Sequence, residues 1–135
     1  YMSNIEKVEN YLKECPVFFL TTVDGNKPKC RPIAFHMLSN DKIYFGIGSF
    51  KEVYKQMQNH PYIELCAQKD TGFLRYYGKA VFEADDTIAN MVLSHTPAMQ
   101  KIYNEQTGYQ LKIFHLENAT AEFRSQLGIE EKIEF

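Results

Sequence analysis

The stretch that decides the fold is "VFFLTTVDGNKPKCRPIAFHMLSNDKIYFGIGS", residues 17–49. It holds three runs rich in β-branched and aromatic residues, at 17–23, 27–38 and 42–48. Asp24-Gly25 separates the first two and Ser39-Asn40-Asp41 the second two, both tight-turn signals. Connections this short join only antiparallel neighbours, because a parallel pair needs a crossover of a dozen residues or more. The stretch therefore predicts a β-meander.

Working outward, Ser3 and Glu6 form a capping box ahead of Ile5, Val8, Leu12 and Cys15 on one helical face, and Pro16 ends that helix. After the meander, Ser49 is the expected N-cap and Glu52 its capping-box partner. The helix predicted at 50–59 buries Phe50, Val53, Tyr54 and Met57 and stops before Pro61. Two further strands are expected at 62–68 and 72–83 around Asp70-Thr71-Gly72. Asp85 or Asp86 then caps a helix carrying Ile88, Met91 and Val92. Thr96-Pro97 opens a short helix through Tyr103. A long strand is predicted at 109–124, broken near Asn118, and "KIEF" is a last edge strand. The fold class expected is mainly β (α+β): a six- to seven-stranded antiparallel split barrel with flanking helices, one domain over residues 1–135.

Composition narrows the function classes. Hydrophobic residues are 44% and charged residues 24%, ordinary for a globular chain. A net charge of −2 with scattered basic residues gives no sign of an electrostatic nucleic-acid or anionic-membrane binder. Ten Phe and nine Tyr suit a β-rich core, with any remainder left as flat surface for a planar ligand or a subunit partner. Cys15, Cys30 and Cys66 are odd in number and lack a C-x-x-C pair, so they fit neither a disulfide framework nor a zinc site; each is expected to be a small buried apolar residue. No apolar run is long enough for a membrane helix and no signal peptide is evident, so a cytoplasmic location is expected.

One charge pattern is anomalous. Lys51 falls at the start of the helix, where the dipole is already positive, at a cost of about 0.3–1 kcal/mol unless an anion is bound. Lys55, four residues on, adds a few tenths more. Nearby, Gly46-Ile47-Gly48-Ser49 allows close approach to the backbone, and first-turn N–H groups bind anions readily. In the second strand Arg31, Ile33, Phe35 and Met37 share a face by the period-two rule, which sets an arginine among apolar residues. Solvated lysines and a snorkelling arginine are one reading. A phosphate held between Arg31, the Gly48-Ser49 turn and Lys51 is the other. Walker and Rossmann patterns are absent. The histidines at 36, 60, 95 and 115 have no metal-ligand spacing, and no nucleophile elbow supports a triad. No metal is expected, and no catalytic residue is identified.

The runs "FFLTTVDGNKPKCRPIAF" (18–35), "KIYFGIGSFKEVYKQMQNHPYIEL" (42–65) and "GFLRYYGKAVFE" (72–83), with the tail "ENATAEFRSQLGIEEKIEF", resemble the pyridoxamine 5′-phosphate oxidase-like FMN-binding split barrels. The resemblance is to their small bacterial members, near the nitroimidazole-resistance flavoproteins. It implies a homodimer with FMN in grooves at the subunit interface. It also implies that Arg31, Ser49 and Lys51 hold the phosphate, with Gly48 in the same turn, and that Pro32 and Ile33 run along the isoalloxazine. Lys55 and Gln56 are further carry-overs to the cofactor site. A C-terminal Arg/His segment of the true oxidases is missing, Phe50 stands where they carry Arg, and a glutamine common near the strand at 73–82 is replaced around Phe73. The expectation is accordingly an FMN-dependent oxidoreductase for an unknown small molecule and not a true pyridoxamine 5′-phosphate oxidase. A non-catalytic flavin-binding or sensing module, a haem-binding split barrel and a deazaflavin user remain as alternatives. His36 either faces the flavin or is a partly buried strand histidine.

Overall fold

The computed structural model describes residues 1–135. Helix α1 (Asn4–Lys13) precedes β1 (Phe18–Asp24), β2 (Lys27–Ile33), β3 (His36–Ser39) and β4 (Lys42–Gly48). Helix α2 (Glu52–Asn59) leads to β5 (Tyr62–Lys69) and β6 (Gly72–Phe82). Helices α3 (Thr87–Ser94) and α4 (Pro97–Gln100) then precede β7 (Leu111–Ser125) and β8 (Gly128–Glu134). The turns are where local chemistry placed them. Gly25, Asn40, Asp41 and Asp70 take positive φ at the hairpin tips, a conformation that Gly, Asn and Asp tolerate best.

The expected strand 27–38 is two strands. Ala34 and Phe35 interrupt it, so β2 pairs with β1 and β3 pairs with β4. These pairings lie at opposite ends of one sheet, ordered β2-β1-β5-β6-β7-β4-β3. Seven strands laid flat would span about 29 Å. Three Cα steps, from Ile33 to His36, reach at most about 11 Å. The sheet must curl until its two ends meet at that corner, and it does so as an antiparallel split barrel that stays unclosed. Strand β8 pairs with the second half of β7, while β4 pairs with the first half, so β7 forks the sheet.

The barrel interior is filled by Phe18, Leu20, Phe45, Leu65, Leu74 and Phe114, with Val8 and Leu12 of α1 and Val53 and Met57 of α2 closing on it. Phe45 lies within 5.9 Å of Phe18 and 5.4 Å of Phe114, ring centre to ring centre. A second cluster on the outer face of β4 and β7 joins Tyr44, Leu111 and Ile113 to Ala89 and Val92 of α3. Half of the outer face is thus covered by the α3–α4 lobe. The other half, across β2, β1, β5 and β6, has no covering element.

Three boundaries differ from expectation. The β4–β7 ladder continues through Ser49, whose N–H donates to the Gln110 carbonyl at 2.9 Å. Ser49 therefore stays with the strand, the Ser49–Glu52 capping box does not form, and Lys51 becomes the N-cap of α2 without a side-chain cap bond. Phe50 leaves the buried stripe; it is 46% exposed and stacks on Tyr109 at 4.0 Å. Helix α4 stops at Gln100, because Thr107 and Asn104 draw residues 101–107 into turns through side-chain bonds to the Ile102, Gln100 and Lys101 carbonyls. Cys15 is buried as expected, but Cys66 on β5 is only half-buried and Cys30 is exposed on β2. No helix is long and apolar enough to cross a membrane.

Near Asn118 strand β7 bulges and does not break. Asn118 takes φ 51°, and the β6–β7 register shifts between Tyr77 and Lys79. Gly78 faces the bulge so closely that an added Cβ would lie 2.9 Å from the Ala119 Cα and the Glu117 carbonyl. Both are backbone atoms that cannot swing aside. Gly78→Ala is therefore expected to destabilise the chain by about 1–3 kcal/mol in urea unfolding; a midpoint equal to the parent's would show that the bulge relaxes freely.

Candidate functional site

Alternation along β1 puts Phe18, Leu20 and Thr22 on the barrel side. Register sets Arg31 opposite Leu20, so Arg31 shares that side, at the open rim under α2. Its guanidinium donates from Nη1 to Thr22 Oγ1 (2.7 Å) and the Leu20 carbonyl (3.1 Å). From Nη2 it donates to Gln56 Oε1 at 2.9 Å. Thr22 Oγ1 in turn donates to Gln56 Oε1 at 2.6 Å. Burial holds the guanidinium below the usual arginine range, yet an arginine so far above neutral stays charged.

The electrostatic setting of Arg31 is unusual within this chain. Arg75 is bound by Glu64 through two hydrogen bonds, at 2.8 and 3.1 Å. Arg124 is paired with Glu122 at 2.7 Å. Arg31 alone of the three arginines has no carboxylate. Ion pairs also engage Lys7, Lys69 and Lys132, but neither Lys51 nor Lys55. An uncompensated cation at a half-buried rim is what an anion site requires.

The structure brings together only part of the expected set. Arg31 and Gln56 touch. Lys51 stands at the start of the same helix, about 7.5 Å along the axis from Gln56, with its Nζ 5.8 Å from the Phe50 ring centre. Ser49 is half-buried with its N–H committed to Gln110. Gly48 is tight against its own neighbours: a Cβ there would lie 2.6 Å from the Phe50 ring and 3.1 Å from the Tyr103 hydroxyl. Pro32 is exposed on the sheet edge, while the Ile33 side chain packs against the barrel core. Lys55 and Gln56 line a groove of about 300 Å³ with Asp24, Glu52, Asn59 and His60. None of the four cavities of the single chain is lined by Arg31, Ser49 or Lys51. The donors Arg31, Ser49, Lys51 and Lys55 nonetheless match a phosphate in chemistry, because each cation among them lacks an acidic partner.

Thr22 was not expected, although a signal existed: it is a polar residue at a buried position of an otherwise apolar alternation. His36 resolves toward the second of its two readings. Its Nδ1 is bonded to Glu9 of α1, and its ring meets Phe18 edge-on at 5.8 Å. Glu9 is only 2% exposed, and its second oxygen has no partner. His115 is also buried, with Nε2 bonded to Glu117 at 3.0 Å. No three His, Cys, Asp or Glu side chains gather as a metal-sized cluster.

The family model described as pyridoxamine 5′-phosphate oxidase matches residues 5–124. No curated protein matches the chain significantly. Among solved structures, a NimC/NimA family protein from Clostridium acetobutylicum is similar, with 22% identity and a TM-score of 0.85 over 100% of this chain and 96% of that one. A pyridoxamine 5′-phosphate oxidase-related, FMN binding protein from Nostoc punctiforme has 14% identity and a TM-score of 0.60, over 100% and 98% of the two chains. A heme binding protein from Mycobacterium smegmatis has 12% identity and a TM-score of 0.68, over 100% of this chain and 58% of that one. At such identities these likenesses establish the fold.

The Glu9–His36 contact yields a stability prediction. His36→Phe strands a buried carboxylate and is expected to cost about 3 kcal/mol or more, whereas adding Glu9→Leu should restore much of the loss. Chemical denaturation of both variants decides it; equal losses in the single and double variants would show the pair to be uncoupled.

Proposed function

Because the chain belongs to the pyridoxamine 5′-phosphate oxidase family, we propose that it is an FMN-binding flavoprotein, with the phosphate at Arg31, Ser49 and Lys51. The observation that carries this reading is Arg31: a half-buried guanidinium held by neutral oxygens and left without a carboxylate. Lys55 and the Gln56 amide add polar donors along the same helix, and Pro32 and Ile33 supply the strand beside which the ring would lie. The flavin would supply the redox chemistry. The chain's own contribution is binding and orientation, in an oxidoreductase that acts on a small molecule.

We further propose that the site is completed by a second copy of the chain. The face without a covering element carries Phe19, 46% exposed, and Tyr62, 67% exposed. Cross-strand partners share a face, so Cys30, Cys66, Arg75 and Tyr77 lie on that side with them. Exposed aromatic side chains interleaved with the Glu64–Arg75 pair and the Tyr77–Glu122–Arg124 cluster suit a protein interface of mixed character.

The absorption spectrum of the purified protein tests the cofactor. Two flavin bands that match free FMN after denaturation are expected; a Soret band would replace this reading with the haem one. Arg31→Ala and Lys51→Ala should each weaken FMN binding by about ten- to a hundredfold, or 1.5–3 kcal/mol. Flavin bleaching by NADH or NADPH is expected of an oxidoreductase, while a flavin that no nicotinamide reduces would mark a binding module. By sedimentation velocity the parent should be a dimer and Phe19→Lys a monomer; a monomeric parent that holds FMN would end the two-copy proposal.

A further inference from the structure

An arginine side chain only donates hydrogen bonds, and this sets the direction of every bond around Arg31. Thr22 Oγ1 accepts from Nη1, so its own proton is the one directed to Gln56 Oε1. Gln56 Oε1 also takes the Nη2 proton. The amide of Gln56 thus has one workable orientation: its oxygen inward, since a flipped amide would set N–H₂ against two donors. Gln56 Nε2 makes no hydrogen bond to the protein, while its inward oxygen takes both donors. Thr22 is 1% and Gln56 7% exposed, so water competes little for these bonds.

The same bonds choose which edge of the guanidinium is free. Thr22 Oγ1 and Gln56 Oε1 lie 2.6 Å apart and accept from Nη1 and Nη2 respectively, so they sit side by side on the Nη1/Nη2 edge. The rest of Nη1 is spent on the Leu20 carbonyl and, at 3.5 Å, the Lys29 carbonyl. The edge formed by Nε–H and the second Nη2 proton has no protein partner. Such an edge is a parallel two-donor fork, matched to two oxygens of one oxyanion. We propose that Thr22 and Gln56 are positioning residues that present the Nε/Nη2 edge of Arg31 to a phosphate monoester. The identity of the ligand as FMN rests on the reading above; the preset edge of Arg31 does not.

The test is titration of the full chain with FMN and with riboflavin, which differ by the phosphate alone, followed by flavin fluorescence. The parent should prefer FMN. Thr22→Val keeps the shape but removes the acceptor, and should lower FMN affinity roughly five- to tenfold while leaving riboflavin unchanged. Thr22→Ser should behave as the parent. Gln56→Glu places a carboxylate on the guanidinium in the same geometry; it should fold normally by circular dichroism and lose most of the preference for FMN. In an Arg31→Ala background Thr22→Val should add nothing. Parent-like FMN preference in Gln56→Glu overturns the proposal, and that variant decides even if Thr22→Val fails to fold. If Arg31→Ala weakens FMN but Thr22→Val and Gln56→Glu do not, positioning is wrong and the phosphate site stands. If the parent does not distinguish FMN from riboflavin, the phosphate reading itself fails.

Discussion

Two residues, Ala34 and Phe35, carry the chain from one end of the sheet to the other. Everything else in the architecture accommodates that short link. A flat sheet cannot satisfy it, so the strands curl, the interior closes around Phe18, Phe45 and Phe114, and α1 and α2 seal the ends. The link also explains why an apparently continuous strand is two. Its first half completes the ladder to β1 and its second half the ladder to β4, and the residues between them can pair with neither.

The candidate site sits on this corner. Arg31 is the third residue from the end of β2, on the barrel side, where the apolar interior gives way to the rim. There a cation can be desolvated on one side and open on the other. Its neighbours are Thr22 and Gln56, which hydrogen-bond without neutralising charge. A carboxylate in either place would stabilise the arginine more and leave less for an anion. The folded chain thus keeps a positive charge uncompensated at a place where strand, corner and helix meet.

The two halves of the outer sheet face have opposite fates. The α3–α4 lobe, inserted between β6 and β7, covers Tyr44, Leu111 and Ile113. The lobe also reaches the start of α2, where Tyr103 and Tyr109 crowd Gly48 and Phe50. The other half carries exposed Phe19 and Tyr62 beside ordered ion pairs. On the free edge of β2, Pro28 and Pro32 lack the N–H that would invite another strand.

Turn chemistry is local, so the hairpins at 24–26, 39–42 and 70–72 and the Ser3–Glu6 cap were legible in the amino-acid sequence, and with them the antiparallel barrel class. The anomalous charges of Arg31 and Lys51 were legible too, because each violates a rule of its own element. The six or seven strands expected are eight, since nothing local in residues 27–38 marks where the ladder changes partner. Ser49 was misjudged as a cap because its N–H is claimed by Gln110, a residue far along the chain. The meeting of Thr22, Arg31 and Gln56 was equally beyond a linear reading. Sequence by itself determined the elements and the unusual charges, which depend on neighbours within a turn or two. Only the tertiary structure decided which oxygen holds which donor, because hydrogen-bond direction and burial are set by groups brought together from three separate elements.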